Sequence, residues 1–176
     1  MSLNLEHHFL VAMPEMDDPY FNHAVVYIIQ HDSNGALGLV VNKPVATLLT
    51  DVAQKMGVSF PSTHRNDTAY YGGPVSRNQA LILSRHTGDD DTSYSGHGLS
   101  VSGSPAHLSQ LMTDDKSEFI LCLGYTGWGP GQMESELEDH VWIACPADNA
   151  ILFHQKDAEK RDLALKKMGI NPAFLK

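Results

Sequence analysis

The chain has 176 residues, 42% of them hydrophobic and 19% charged, a balance that excludes a disordered protein and fits one globular domain spanning residues 1–176. Asp and Glu outnumber Lys and Arg by 21 to 12, and the resulting net charge of -9 argues against direct nucleic-acid binding. Two cysteines, Cys122 and Cys145, are too few for a disulfide framework or a zinc site, and they indicate a reducing cytoplasm.

The N-terminal half is predicted to be mostly β-structure. Residues 8–13 form the first strand, residues 17–21 form a turn, and the apolar runs 24–31 and 36–42 form a hairpin around the turn 32–35. An amphipathic helix follows at residues 48–56, ended by Gly57. Polar residues 59–67 form a loop.

The middle of the chain continues with strands at residues 70–75, 80–85 and 99–102. Between the last two strands, residues 86–98 carry Asp89, Asp90 and Asp91 among Gly, Ser and Thr, a composition typical of a surface loop. Ser104 and Pro105 open a helix that continues to Met112.

The C-terminal part alternates strands and helices. Strand 119–123 leads into a glycine-rich segment at residues 124–131 and then into a helix. Met133, Leu137 and Val141 share one face of this helix. Gly129 is its predicted N-cap and Pro130 its first residue, and the Gln132 side chain is expected to bond the amide of the cap. Strands follow at 141–145 and 151–154. A helix at 159–168 ends at Gly169. Strand hairpins mixed with single helices predict an α+β fold.

The basic residues near the C-terminus are interrupted by acidic ones. Lys156, Lys160, Arg161, Lys166, Lys167 and Lys176 alternate with Asp157, Glu159 and Asp162. This alternation indicates a solvated helix face. The chain shows no basic-then-apolar N-terminal segment and no run of 18 apolar residues, so we expect no secretion signal and no membrane span.

The glycine-rich segment resembles a nucleotide-binding loop only in part. Gly124 and Gly129 have phosphate-loop spacing, but Pro130 and Gly131 occupy the positions of the required Lys and hydroxyl residue. Acidic Glu134 and Glu136 at the helix start disfavour a phosphate. Two alternatives remain: a rigid connection in which glycines supply unusual dihedral angles, or one wall of a pocket for another ligand.

Metal and nucleophile patterns are weak in this chain. The ten histidines lack paired ligand spacing, and the helical stripe of Gln132, Glu136 and His140 is explained by a polar helix face. Cys122, inside an apolar strand, is predicted to be an inert thiol. We therefore predict no metal site, no bound cofactor and no catalytic residue.

Three segments at predicted strand ends, residues 41–44, 71–74 and 125–128, carry polar or glycine residues that would form a pocket if the segments converged. These segments supply one cation, one amide, several hydroxyls and an indole, the polar groups typical of a small-molecule site. The predicted ligand-binding residues are Asn42, Lys43, Tyr71, Gly72, Gly73, Tyr125, Thr126, Trp128, Gln132 and Glu136. Lys43, Tyr71, Tyr125 and Trp128 are predicted to line one cavity.

Long ordered motifs resemble the bacterial YqgE/AlgH family. They are residues 7–14, 18–21, 31 with 34–44, 72–75 and 124–137, and the resemblance extends from the N-terminus to Phe153. The C-terminal stretch ending at Lys176 departs from relatives that have a small-residue tail. The resemblance implies a complex α+β fold with a small closed or bifurcated β-sheet structure surrounded by helices. It implies no known reaction, and the family carries a transcriptional-regulator label.

Three functional hypotheses follow. The first is a non-catalytic cytoplasmic protein that binds a small molecule or a protein partner and acts in regulation. The alternative is a small enzyme in which Lys43, Glu134, Glu136 or His31 serves as acid, base or charge stabiliser. Direct DNA binding is third, because the helices are separated by strands and form no helix-turn-helix. The oligomeric state is not determined by the sequence.

Overall fold

A computed structural model describes residues 3–59, 67–85, 94–114 and 116–175 of the chain. Its ten strands, in chain order, are β1 (His8–Ala12), β2 (Val25–Asp32), β3 (Gly35–Val40), β4 (Pro44–Leu48), β5 (Thr68–Tyr71), β6 (Val75–Ser84), β7 (Tyr94–Gly96), β8 (Leu99–Ser102), β9 (Phe119–Trp128) and β10 (Trp142–Pro146). The helices are α1 (Leu49–Lys55), α2 (Pro105–Thr113), α3 (Gln132–Glu138), α4 (Asn149–His154), α5 (Asp157–Lys167) and a 3-10 helix at Pro172–Leu175.

The strands form one large, mainly antiparallel sheet in the order β10-β1-β2-β3-β9-β6-β8-β7. Strand β5 branches from this path by pairing in parallel with β9, and β4 pairs with β5. The sheet is open in the described part of the chain, since β10 and β7 lie at opposite ends of the strand order. The predicted α+β class is confirmed, whereas the small closed or bifurcated sheet structure implied by the family resemblance is not.

Strand β9 connects the two halves of the sheet. Gly127 pairs with Leu37 of β3, while Cys122 pairs with Tyr70 of β5 on one side and Leu81 of β6 on the other. The predicted loop after residue 123 is therefore wrong as far as Trp128, because the strand continues through it. Glycine allows this, since residue 124 has a left-handed φ of 81° that a side chain would disfavour.

Alternation along the strands builds separate apolar layers on the two sheet faces. In β1, Phe9 and Val11 belong to the cluster covered by α4 and α5, and Leu10 and Ala12 belong to the cluster that includes Met133 of α3. A third cluster lies under α1 and α2. Helix α3 and the α4–α5 pair thus cover opposite faces of the same strands.

Several predicted elements are confirmed. Strands β2 and β3 form the expected hairpin, with one register shift between Ile28 and Gln30. Helices α1, α2 and α5 lie where the patterns placed them, and the Ser104 hydroxyl caps α2 by accepting from the His107 amide.

Residues 151–154 were predicted as a strand, and this is wrong: they lie in α4. The Asp148 carboxylate accepts hydrogen bonds from the Ala150 and Ile151 amides, so it caps the helix that the short apolar run continues. A short apolar run does not by itself distinguish strand from helix. The capping residue decides it here.

Three other predictions need correction. The segment between the predicted strand 36–42 and the predicted helix 48–56 forms β4, which begins at Pro44 and has no partner besides β5 among the described strands. Strand β6 begins at Val75, so the two predicted strands 70–75 and 80–85 are divided differently. Strand β7 lies in the predicted loop 86–98, whereas most of the predicted loop 59–67 and the Asp89–Asp91 stretch lie outside the described residues. None of the described helices is long and apolar enough to span a membrane.

Candidate functional site

The three strand-end segments of the predicted pocket do meet, through their backbones. The Tyr71 amide donates to the Lys43 carbonyl at 2.8 Å. The Gly72 carbonyl accepts from the Val40 amide at 2.9 Å and from the Thr126 hydroxyl at 3.2 Å. We call the contact region of residues 72–73 and 124–126 the glycine junction.

The glycine junction has no free space for a side chain. A Cβ atom added at Gly72 would lie 2.2 Å from the Gly124 carbonyl oxygen, and one added at Gly73 would lie 2.1 Å from the Tyr125 carbonyl oxygen. Both distances are far below van der Waals contact. These glycines therefore allow β5 and β9 to approach each other, which agrees with the structural alternative for the glycine-rich segment.

Tyr71 belongs to an aromatic stack beside the junction. Its ring stacks on Tyr20 at 5.6 Å, and the Arg77 guanidinium lies 5.6 Å from the Tyr71 ring centre and 5.9 Å from that of Tyr20. Burial raises the pKa of Tyr71, opposed by the charge of Arg77. Tyr125 is only half-buried and packs against the apolar cluster under α4 and α5.

Glu136 holds both tryptophans of the chain. One oxygen accepts from the Trp128 indole at 3.3 Å and the Trp142 indole at 3.0 Å, while the other accepts from the Gln132 amide at 3.0 Å. Gln132 in turn accepts from the Gly129 amide at 2.9 Å, the contact expected from the sequence. We call Glu136 with the two indoles the tryptophan clamp. It attaches α3 to β9 and β10.

Helix α3 starts two residues later than predicted, at Gln132, because Gly131 in the left-handed region is its N-cap. A second hydrogen bond attaches α3 to the sheet. The Leu5 amide donates to Nδ1 of buried His31 at 3.0 Å, so Nδ1 is an acceptor and Nε2 carries the proton. Nε2 donates this proton to the Glu134 carboxylate of α3. The pKa of Glu134 is lowered by its own backbone amide and by His31. The acid-base candidates His31, Glu134 and Glu136 thus hold α3 in place.

An open cavity of about 650 Å³ lies elsewhere, between α5, the connection from β3 to β4 and the 3-10 helix. We call it the α5 cavity. The polar and charged residues of its described lining are His23, Asn42, Lys43, Asp157, Arg161, Asp162, Lys166 and Asn171. Of the ten predicted ligand-binding residues it includes Asn42 and Lys43. The lining does not include Tyr71, Tyr125 or Trp128, and ligand binding by those residues stays a prediction.

The two predicted residues contribute differently to the α5 cavity. The Asn42 side chain bridges neighbouring backbone, accepting from the Val25 amide and donating to the His23 carbonyl, each at 2.9 Å. It therefore fixes the wall. Lys43 is half-buried, and burial lowers the pKa of its ammonium group, an effect that the charge of Asp18 partly opposes.

A buried charge pair forms the base of α5. The Lys160 ammonium is 2% exposed, donates to the Val41 carbonyl at 2.8 Å and pairs with Asp157 at 2.8 Å. It also lies 5.1 Å from the Tyr70 ring centre, and the Tyr70 hydroxyl donates to Asp157 at 2.8 Å. Asp157 is thus already neutralised and hydrogen-bonded.

Arg161 brings a second cation into the wall. One terminal nitrogen donates to the Ala12 carbonyl at 3.0 Å, and Asp162 lies 3.9 Å from the other. Its Nε atom is buried and has no hydrogen-bond partner in the part of the chain that the structure describes. Asp157 is neutralised by Lys160, so among the described lining residues three cations, Lys43, Arg161 and Lys166, are accompanied by one further carboxylate, Asp162.

Sequence patterns missed this site because they assigned the α5 charges to a solvated face. Lys160 is buried and Arg161 is half-buried, so that assignment is wrong for these two residues. One signal was present. Lys160 and Arg161 lie four residues before the buried Ala164 and Leu165, so they share the apolar side of the helix.

Comparison with known proteins agrees with this architecture. A sequence profile described as AlgH-like matches residues 9–173. The chain is 36% identical to a UPF0301 protein of Vibrio cholerae and 38% identical to one of Photobacterium profundum, in each case over 98% of this chain and 96% of the relative.

Two solved structures share the fold. The solution structure of the AlgH protein from Pseudomonas aeruginosa is 35% identical, with a TM-score of 0.79 over 99% of this chain and 94% of that one. A crystal structure of a Corynebacterium diphtheriae protein has a TM-score of 0.74 over 94% of this chain and 88% of that one. At 18% identity, the second match concerns the fold alone.

Proposed function

The chain belongs to the AlgH-like family, and from that premise we propose that it is a non-catalytic binding protein whose α5 cavity takes a small ligand with an acidic group. The volume of about 650 Å³ lies in the range of small-molecule sites, which is roughly 300–1,000 Å³. Apolar walls from Pro14, Pro172 and Leu175 accompany the charged groups. An apolar body with an acidic group matches this lining.

The observation that carries the proposal is the buried Arg161 Nε without a hydrogen-bond partner among the described residues. A buried donor without an acceptor costs about 1–3 kcal/mol, and a ligand oxygen would remove that cost. Lys43 and Lys166 lie in the same wall and supply charge for a carboxylate or a phosphate.

A regulatory role is part of the proposal, in line with the transcription-related label of the family. Ligand binding would change the charge around α5, and a protein partner that contacts this helix would then bind with a different affinity. Direct contact with nucleic acid is not proposed because the net charge is -9. We keep a cytoplasmic location as an expectation.

A thermal-shift screen of small carboxylates, phosphates, nucleotides and metals tests the proposal. A ligand at a hundred times its Kd stabilises the folded state by about 2.7 kcal/mol. For a true hit, Lys43→Gln combined with Lys166→Gln is expected to weaken binding about tenfold or more, since both charges are lost. Lys116→Gln removes one exposed charge outside the α5 cavity and serves as the control.

Two results would contradict the proposal. One is a screen in which no acidic compound raises the melting temperature. The other is a hit whose Kd is the same for the wild-type chain and for the double variant, because such a ligand binds elsewhere.

A further inference from the structure

A second cavity, of about 570 Å³, lies between the end of α1 and the start of β6. We call it the α1 cavity. Among the described residues, its charged lining consists of Lys55 and Arg77 and includes no carboxylate, although the chain as a whole has a net charge of -9. Asp51 lies one turn before Lys55 on α1 but does not line the cavity. In the described part of the chain, neither cation forms an ion pair with a carboxylate.

A bulge in β6 places Arg77 at the cavity. Val75 pairs with Tyr125 and Ala80 pairs with Leu123, so four residues of β6 oppose one residue of β9. Ser76 has a left-handed φ of 51° at the start of this bulge. The extra residues leave the ladder and extend toward α1.

Arg77 is held in this position by aromatic rings. Its guanidinium lies within 6 Å of both Tyr20 and Tyr71, whose rings stack on each other. Such contacts restrain the side chain without neutralising its charge. A cation that is held before the ligand arrives loses less conformational entropy on binding.

The other part of the lining is apolar. Val52 of α1, Met56 at its C-cap and Leu123 of β9 contribute to the wall beside Lys55. Val52 is 7% exposed, so this part of the wall is continuous with the core cluster under α1 and α2. The apolar wall and the two cations together fit a molecule that has an apolar chain and an anionic end.

We propose that the α1 cavity binds an organic anion with a short apolar chain, its anionic group at Lys55 and Arg77 and its chain against Val52, Met56 and Leu123. This site is separate from the α5 cavity, since the two linings share no residue. Charge complementarity selects the anion, and apolar contact selects a chain over a bare ion.

Octanoate is a suitable probe for the full-length chain, with octanamide as its neutral equivalent and octylamine as its cationic one. Titration followed by backbone amide NMR gives both the Kd and the location. We expect octanoate to bind about tenfold more tightly than octanamide, as for a hydrogen bond to a charged group. Amides of α1 and of residues 76–80 should shift.

Variants locate the charge. Lys55→Gln is expected to weaken octanoate binding about threefold or more, and Lys55→Glu to abolish it, whereas Lys116→Gln, an exposed change outside both cavities, leaves the Kd read from the α1 amides unchanged. Lys55 is exposed, so these variants keep the fold, which the same spectra verify. Equal affinity for octanoate and octanamide, no effect of Lys55→Gln, or shifts confined to α5 would each overturn the proposal.

Discussion

The glycine junction and the α5 cavity both lie where strands end, yet one has no room for a methyl group and the other encloses about 650 Å³. In the junction, polar atoms satisfy one another through backbone contacts. In the cavity wall, Arg161 retains a buried donor without a partner in the described residues. Glycine and hydroxyl residues at strand ends therefore indicate close approach of two chain segments as readily as a binding site. A buried polar group without a hydrogen-bond partner distinguishes the binding site from the close approach.

The largest expected effect comes from filling the junction. Gly72→Ala places a Cβ atom 2.2 Å from a carbonyl oxygen of β9, so we expect the free energy of unfolding to fall by about 3 kcal/mol. Chemical denaturation measures this change. Gly96→Ala is the control, since an added Cβ meets no atom within 4 Å, and it should change stability by less than about 0.5 kcal/mol. Equal stabilities of the two variants would show that the junction is not tightly packed.

A smaller loss is expected in the tryptophan clamp. Glu136→Ala leaves the two indole N–H groups without their acceptor, so the free energy of unfolding should fall by about 2 kcal/mol. The chain contains only these two tryptophans, so intrinsic fluorescence should shift to longer wavelength as well. Glu138→Ala, an exposed change on the same helix, controls for lost charge. Unchanged stability in Glu136→Ala would show that the tryptophan clamp does not stabilise the fold.

The smallest expected change in stability concerns the Asp148 cap of α4 and its ion pair with Lys167. Lys167 and the capped backbone amides lower the pKa of Asp148, which caps α4. Because the folded-state pKa lies below the ordinary 3.8, this carboxylate adds stability that is present above pH 3.8 and lost as the pH falls through the folded value. Asp148→Asn keeps a capping oxygen and removes the charge, so it should cost about 0.5 kcal/mol at neutral pH.

The measurement is the difference in free energy of unfolding between the wild-type chain and Asp148→Asn as the pH is lowered. That difference should shrink toward zero in acid, whereas exposed Asp17→Asn should give no comparable trend. A difference that is constant with pH would show that the Lys167 contact contributes nothing electrostatic.

Local patterns predicted the β2–β3 hairpin and most helices because these depend on neighbours in sequence. Apart from α4, where a local cap decides, they failed where long-range contacts decide. Nothing near Gly124 in the sequence indicates that Gly73 approaches it, or that β3 pairs with residues 126–128 and so continues β9 through the glycine segment. Local charge alternation likewise concealed Lys160, whose partner Val41 lies 119 residues away.

The candidate site was predictable only in the part that belongs to a strand end. Asn42 and Lys43 follow β3, so they were among the polar strand-end residues that were predicted to bind a ligand. Arg161 and Lys166 lie on a helix that packs across these ends from the far terminus of the chain. Sequence spacing alone does not bring the two segments together.

The three-way pairing of β9 also constrains the order in which the chain can fold. Strands β3, β5 and β6 all precede β9 in sequence, and none of their pairings with it can form until residues 119–128 have been synthesised. Until then, the first 118 residues have unpaired strand edges at the centre of the future sheet, where contacts between chains begin. We therefore expect nascent or truncated chains that lack β9 to associate with chaperones more than the full-length chain does.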